Sequence, residues 1–190
     1  MASRTSLSHV LLCAGSLREW ATPDADHWRS RLELVAHAAR SGGAEWATLV
    51  PYSDGEPGDA ETVRTTLIGA CGGVQYADRV VVIGAEGVTV IVDVCADGRE
   101  RVAAAASRVG DGRITEQRLA STLSAPAPGE PDLVIVLGNA TDMPASLVWE
   151  LAYAEIVFLD APWTALDAEH IEMAIDDFAR RDRRFGGIDS

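Results

Sequence analysis

The chain has 190 residues, a hydrophobic fraction of 47% and a formal net charge of −13, with a pI near 4.6 and a mean hydropathy of +0.05. That length suits one domain, 1–190, with one sizeable core. The acidity argues against nucleic acid and against adsorption to anionic lipid, both of which reward a basic face. No apolar run approaches the roughly 18 residues of a membrane span, and the short one near the N-terminus falls below a secretory signal, so a cytoplasmic location is expected. Cys13, Cys71 and Cys95 are far apart and show no metal spacing, the pattern of structural free thiols in a reducing compartment.

In chain order, His9 to Cys13 reads as a first strand, followed by the turn sequence AGSLREWA. Trp28, Leu32, Val35 and Ala39 fall on one face of a helix. Asp24 or Asp26 can cap its start, and Ser41-Gly-Gly43 ends it. Glu45 to Tyr52 is a second strand, and a helix is expected from about Asp59 to Cys71. Arg79–Gly84 and Val88–Val94 read as two further strands. An alanine-rich helix follows Asp97-Gly-Arg99, and Ile114–Leu123 is a shorter one. Asp132–Leu137 is an apolar run of the kind that forms a buried parallel strand. Leu147, Val148, Leu151 and Ala152 recur at helical spacing, and Ile156–Leu159 is a last strand. Asp167 can cap a final helix whose buried face is Ile171, Ile175 and Phe178. Strands alternating with helices give an open, mainly parallel α/β sheet flanked by helices.

Several stretches together resemble the cis-prenyltransferases, the undecaprenyl and dehydrodolichyl diphosphate synthases. Their frame PDLVIRTSGExRLSNFLLWQLAYSE is kept at Asp132–Ile135, Trp149, Leu151–Tyr153 and Glu155, and the terminal ERRFGG at Arg183–Gly187. Asp97-Gly-Arg99 resembles GGR, and His9 to Ala21 resembles HxxxxMDGNxRWA. The resemblance implies the family's sheet, with shortened tunnel helices, because the segment from Tyr52 to Arg79 leaves room for only one.

The departures from that frame fall on its chemistry. The metal-binding aspartate of DGN is Ala14, which cannot ligate a hard cation. Gly15 is kept, Ser16 replaces asparagine, Arg18 and Trp20 remain, and Glu19 stands between them as an insertion. Gly15, Ser16 and Arg18 can still bind a phosphate at a strand-to-helix turn; they fit an ordinary turn with a solvated arginine equally well. The two arginines that hold isopentenyl diphosphate are Val136 and Asp142. The SGE serine is Gly138 and its metal-binding glutamate is Ala140. A diphosphate needs cationic forks or backbone donors, and this loop presents Asp142 instead.

What survives is Arg184-Phe-Gly186. The resemblance implies that Arg184 and Gly186 form an RxG motif reaching across a dimer to a partner's substrate; an arginine-rich helix end with a glycine stop accounts for them equally well. Trp149, Tyr153 and Glu155 are expected at the dimer surface. The pattern is similar to the Nogo-B receptor class, the accessory subunits of heteromeric cis-prenyltransferases. On that expectation the chain carries no cofactor of its own, and magnesium sits on the catalytic partner that binds the prenyl diphosphates. A stand-alone transferase of short prenyl diphosphates with altered chemistry and a non-catalytic binding homodimer are the alternatives.

Overall fold

A computed structural model describes residues 7–110, 113–138, 142–152 and 154–185, with residues 182–185 given as backbone only. Seven strands form one sheet in the order β3-β4-β5-β2-β1-β6-β7. They are β1 His9–Cys13, β2 Trp46–Val50, β3 Val74–Ala77, β4 Val80–Ala85, β5 Val88–Asp93, β6 Leu133–Leu137 and β7 Glu155–Leu159. Five of them run parallel: β1 pairs with β2 and β6, β2 with β5, and β6 with β7. β4 lies antiparallel between β3 and β5 and turns that end of the sheet into a meander.

Both faces of the central strands are buried, so their sequences are continuous apolar runs rather than alternating ones. Every residue of β1 and of β6 is buried. Val10 and Leu12 point to the larger core, while Leu11 and Cys13 point to a smaller one with Val134, Val136 and Leu147, as the two-residue period of a strand requires.

The larger core is closed by α2 Ala25–Ser41 and α6 Ala168–Phe185, with α1 Leu17–Ala21 and α3 Asp59–Ala70 beside them. Asp24 caps α2 by accepting from the His27 amide at 3.0 Å, and Asp167 caps α6 in the same way through His170. The α2 face comprises Trp28, Leu32, Val35 and Ala39, as its periodicity predicts. Trp20, Trp28 and Trp163 pack together with ring centroids 5.6–6.1 Å apart. α4 Gly98–Val109 and α5 Glu116–Ser124 pack against each other elsewhere on the sheet.

Three features differ from the sequence reading. α1 and the edge strand β3 are additional: α1 is a five-residue helix set by one capping box, and β3 is a four-residue strand exposed along most of its length. Neither is long enough for periodicity to show. The helix expected through Leu147–Ala152 is instead two short 3₁₀ turns, Ala145–Leu147 and Glu150–Ala152. Leu147 is buried, whereas Val148 is 49% and Leu151 44% exposed. The helical spacing there marks no buried helix face, because polar anchors described below hold the segment in its tighter turns.

Candidate functional site

β1 lies between β2, which follows it in the chain, and β6, which arrives from the other side. In a parallel α/β sheet such a switch point leaves a crevice at the carboxyl ends of the strands, where ligands bind. Here the crevice has a volume of about 390 Å³ and is built from the residues that follow β1, β2, β6 and β7, among them Gly15, Ser16, Tyr52, Gly138, Asp160 and Trp163.

The turn after β1 is shaped by close packing. Gly15 has φ +64°, and a Cβ on it would lie 2.9 Å from Cγ of Trp163. The Tyr52 amide donates to the Gly15 carbonyl at 2.6 Å, and the Leu17 amide to the Ser53 carbonyl at 3.0 Å. Trp163 is 3% exposed and stacks under the Arg31 guanidinium at 4.8 Å. Arg31 also donates to the carbonyls of Leu166 and Thr164, and burial pushes its pKa down.

Gly15 and Ser16 line this crevice, whereas Arg18 is not among its lining residues, and the Ser16 donors are already engaged. The Glu19 carboxylate accepts from the Ser16 amide at 2.7 Å and from the Ser16 hydroxyl at 3.0 Å, while the Glu19 amide donates to Ser16 Oγ at 3.2 Å. This is a capping box. The residue that looked like an insertion thus places a fixed negative charge on the donors a phosphate would need. Arg18 points to Glu56 at 3.6 Å, with both side chains exposed.

The rest of the crevice repeats that polarity. Glu19, Asp142 and Asp160 line it, and none of its described lining residues is basic. Val136 is wholly buried in the sheet, and the Tyr52 hydroxyl donates to the Asp142 carbonyl at 2.5 Å. Ala14, at the place of the metal carboxylate, is fully buried and accepts through its carbonyl from Trp20 Nε1 at 2.8 Å. Magnesium needs several hard oxygen ligands. Among the described residues no three His, Cys, Asp or Glu side chains converge so as to hold an ion, and the donor set around Ala14 does not fit one.

A second polar cluster, unmarked by any local sequence pattern, lies buried where β5, α4 and the 3₁₀ segment meet. Arg101 Nε donates to Asp93 at 3.1 Å, its Nη2 pairs with Glu150 at 2.9 Å, and its Nη1 donates to the Ser146 carbonyl at 2.8 Å. Burial alone would lower the Arg101 pKa, but the Glu150 and Asp93 carboxylates more than offset it and hold the guanidinium above its ordinary range. Arg79 closes the group from the other side of Asp93 at 2.9 Å. The second oxygen of Glu150 has no protein partner. Beside Glu150 is a cavity of about 20 Å³ lined by His9, Thr48 and Arg101, which is room for one water molecule. His9 bridges the Gly129 carbonyl at 3.0 Å and the Thr48 hydroxyl at 2.8 Å.

Of the expected interface residues, Trp149 is half-buried and donates to Glu130 at 2.6 Å. Glu155 opens the edge strand β7 and pairs with Arg181 at 3.4 Å. Tyr153, Ala140 and Gly186 fall outside the described residues, as does the side chain of Arg184, which sits in the last turn of α6. Cys13, Cys71 and Cys95 are all free. Burial raises the pKa of each, that of Cys13 to about 12, so they are poor nucleophiles.

The sequence model of the family described as putative undecaprenyl diphosphate synthase matches residues 74–186, more than half of the chain. The chain belongs to this cis-prenyltransferase family. The match runs from β3 through α6 and leaves out β1 and the turn after it, where Ala14 and Glu19 depart from the frame. Isoprenyl transferase 2 of Bradyrhizobium diazoefficiens is 36% identical over 109 residues, 53% of this chain and 43% of the relative. A trans,polycis-polyprenyl diphosphate synthase of Thermobifida fusca is 40% identical over 85 residues, 45% of this chain and 30% of the relative. The matched stretch thus spans less than half the length of these curated relatives. A crystal structure of a probable undecaprenyl diphosphate synthase from Campylobacter jejuni shares the fold over 94% of this chain and 83% of its own, with a TM-score of 0.50 and 22% identity. Among the described residues, no helix is long and apolar enough to cross a membrane.

Proposed function

We propose that this cis-prenyltransferase-family chain is a non-catalytic subunit of a two-component enzyme. Its partner, an intact homologue, condenses isopentenyl diphosphate with an allylic prenyl diphosphate and holds the magnesium. The observation that carries this reading is the polarity of the switch-point crevice. Condensation separates a diphosphate from an allylic carbon, and its transition state needs fixed positive charge or metal where the negative charge develops. This crevice offers Glu19 on the Ser16 donors, Asp142 and Asp160 on its walls, and a buried alanine at the metal position.

The partner surface in this reading is an apolar crest on the 3₁₀ segment. Met143, Val148 and Leu151 are each 44–49% exposed, and the half-buried Ile156 and Phe158 pack against the smaller core that Leu147 joins. A net charge of −13 opposes pairing of two copies and favours a less acidic partner. Trp149 lies within the crest in sequence and Tyr153 follows it, and Arg184 and Gly186 complete the reading as an RxG motif donated to the partner's substrate.

One observation favours a second reading: the curated relatives bear the names of transferases and synthases, as expected of a stand-alone enzyme. The deciding measurement is incorporation of labelled isopentenyl diphosphate into farnesyl or geranyl diphosphate with magnesium. The purified chain alone is expected to give no product, and adding it to a homologue with intact metal and phosphate motifs is expected to raise that homologue's turnover. Robust product from the chain alone would promote the stand-alone enzyme; a homologue whose turnover is unchanged by it would leave the binding homodimer.

A further inference from the structure

The buried ion cluster lies directly beneath the crest. The crest has almost no regular structure to hold it: two 3₁₀ turns of three residues each, a geometry with poor hydrogen bonds. Its position comes from side chains below. Arg101 reaches it twice, through the Ser146 carbonyl and through Glu150, while its third contact is Asp93 at the end of β5. The start of α4 comes so close that a Cβ on Gly98 would stand 2.8 Å from the Ser146 carbonyl oxygen and 2.9 Å from Cγ2 of Val148. One guanidinium therefore ties the sheet, α4 and the segment carrying Val148 and Leu151 into a single unit.

We propose that Arg101 is a positioning residue for assembly: it holds the 3₁₀ crest in the one shape that docks on the catalytic partner. This rests on the interface reading above. A buried ion pair is weak evidence of stability, since an apolar replacement often does as well, but it can fix one geometry among several. The crest needs such a device because each of its two 3₁₀ turns is only three residues long and weakly hydrogen-bonded, and docking a disordered segment costs binding free energy.

Arg101→Met leaves Glu150 buried without its cation and can unfold the chain, so the informative variant is Arg101→Met/Glu150→Leu, in which Arg79 still neutralises Asp93. Two quantities are measured against the wild type. One is hydrogen exchange in the isolated chain at the amides of Leu147, Ala152 and Ala154, which donate to Pro144, Trp149 and Glu150 within the crest. The other is affinity for a purified cis-prenyltransferase with intact metal and phosphate motifs from the same genome, by sedimentation velocity. The double variant should keep wild-type protection in β1 and β6, exchange the three crest amides at least about tenfold faster, and bind the partner at least about tenfold more weakly. Leu151→Glu should abolish binding with crest exchange unchanged. Wild-type exchange at the three amides, or undiminished affinity with a loosened crest, overturns the proposal. The exchange arm needs no partner: if the wild type binds no homologue, the accessory-subunit reading falls while crest exchange still decides what Arg101 does.

Discussion

His9 shows how a single side chain can be committed to one protonation state. Its Nδ1–H donates to the Gly129 carbonyl, so Nε2 accepts from the Thr48 hydroxyl. Burial lowers its pKa despite that carbonyl and the nearby Asp132 and Glu150 carboxylates. The unfolded chain then takes up a proton at higher pH than the folded one. Stability from this residue is complete above pH ~6.5, the ordinary histidine value, and is lost as pH falls from there toward the folded pKa, by at most about 1.4 kcal/mol per pH unit. Urea melts between pH 7.5 and 5.5 should show that loss in the wild type and a shallower one in His9→Gln; parallel profiles would refute the assignment. Gly15 is committed in backbone rather than charge. Gly15→Ala meets both a left-handed φ and the Trp163 ring, and should cost about 2–4 kcal/mol. A thermal melt reads that loss, and a shifted tryptophan emission locates it.

At the scale of elements, the region of most consequence has the least regular structure. The segment after β6 keeps the family's residue pattern, yet its turns are set by contacts with α4 and β5. The contact at Gly98 makes this testable without touching a charge. Gly98→Ala puts a methyl where the Ser146 and Ala145 carbonyls already stand. At the first position of α4 it gains at most about 1 kcal/mol in helix propensity, and an overpacking cost of about 1–3 kcal/mol should outweigh that gain. A net stabilisation in urea unfolding would mean that the crest yields easily and that α4 does not define its position. The short α1 follows the same logic. Ser16 and Glu19 satisfy each other's groups across its first turn, so the helix that replaces a phosphate-binding turn is stabilised by the carboxylate that repels a phosphate.

At the scale of the whole molecule, the proposed role of the C-terminal arginines lies in the assembled enzyme. If Arg184 serves a partner's substrate, its charge-assisted hydrogen bonds contribute on the order of 1.5–3 kcal/mol each before entropy and solvent reduce them. Arg184→Ala should then lower the turnover efficiency of the reconstituted pair roughly tenfold to a few hundredfold. The melting temperature of the chain should scarcely change, because a charge in the last helical turn contributes only about 0.3–1 kcal/mol through the dipole. Unchanged turnover, or a loss explained wholly by failed assembly, would reduce this tail to an ordinary helix terminus.

What the sequence by itself determined was the part governed by local pattern: five parallel strands as apolar runs, the faces of α2 and α6, the caps at Asp24 and Asp167, and the substitutions at positions whose chemistry demands a charge, which Ala14 and Val136 lack and Asp142 reverses. Those features depend on residue type and spacing along the chain, which periodicity and resemblance both report. What only the tertiary structure decided was how distant residues meet. The turn at Gly15 closes against the ring of Trp163, and the 3₁₀ segment meets Arg101, some 45 residues earlier in sequence, through the Ser146 carbonyl. Arg101 and Glu150 each looked like an ordinary helix residue, since neither carries any mark of burial in its own neighbourhood of sequence. The buried cluster follows from the sheet order, which places the end of β5 and the chain after β6 on either side of one guanidinium.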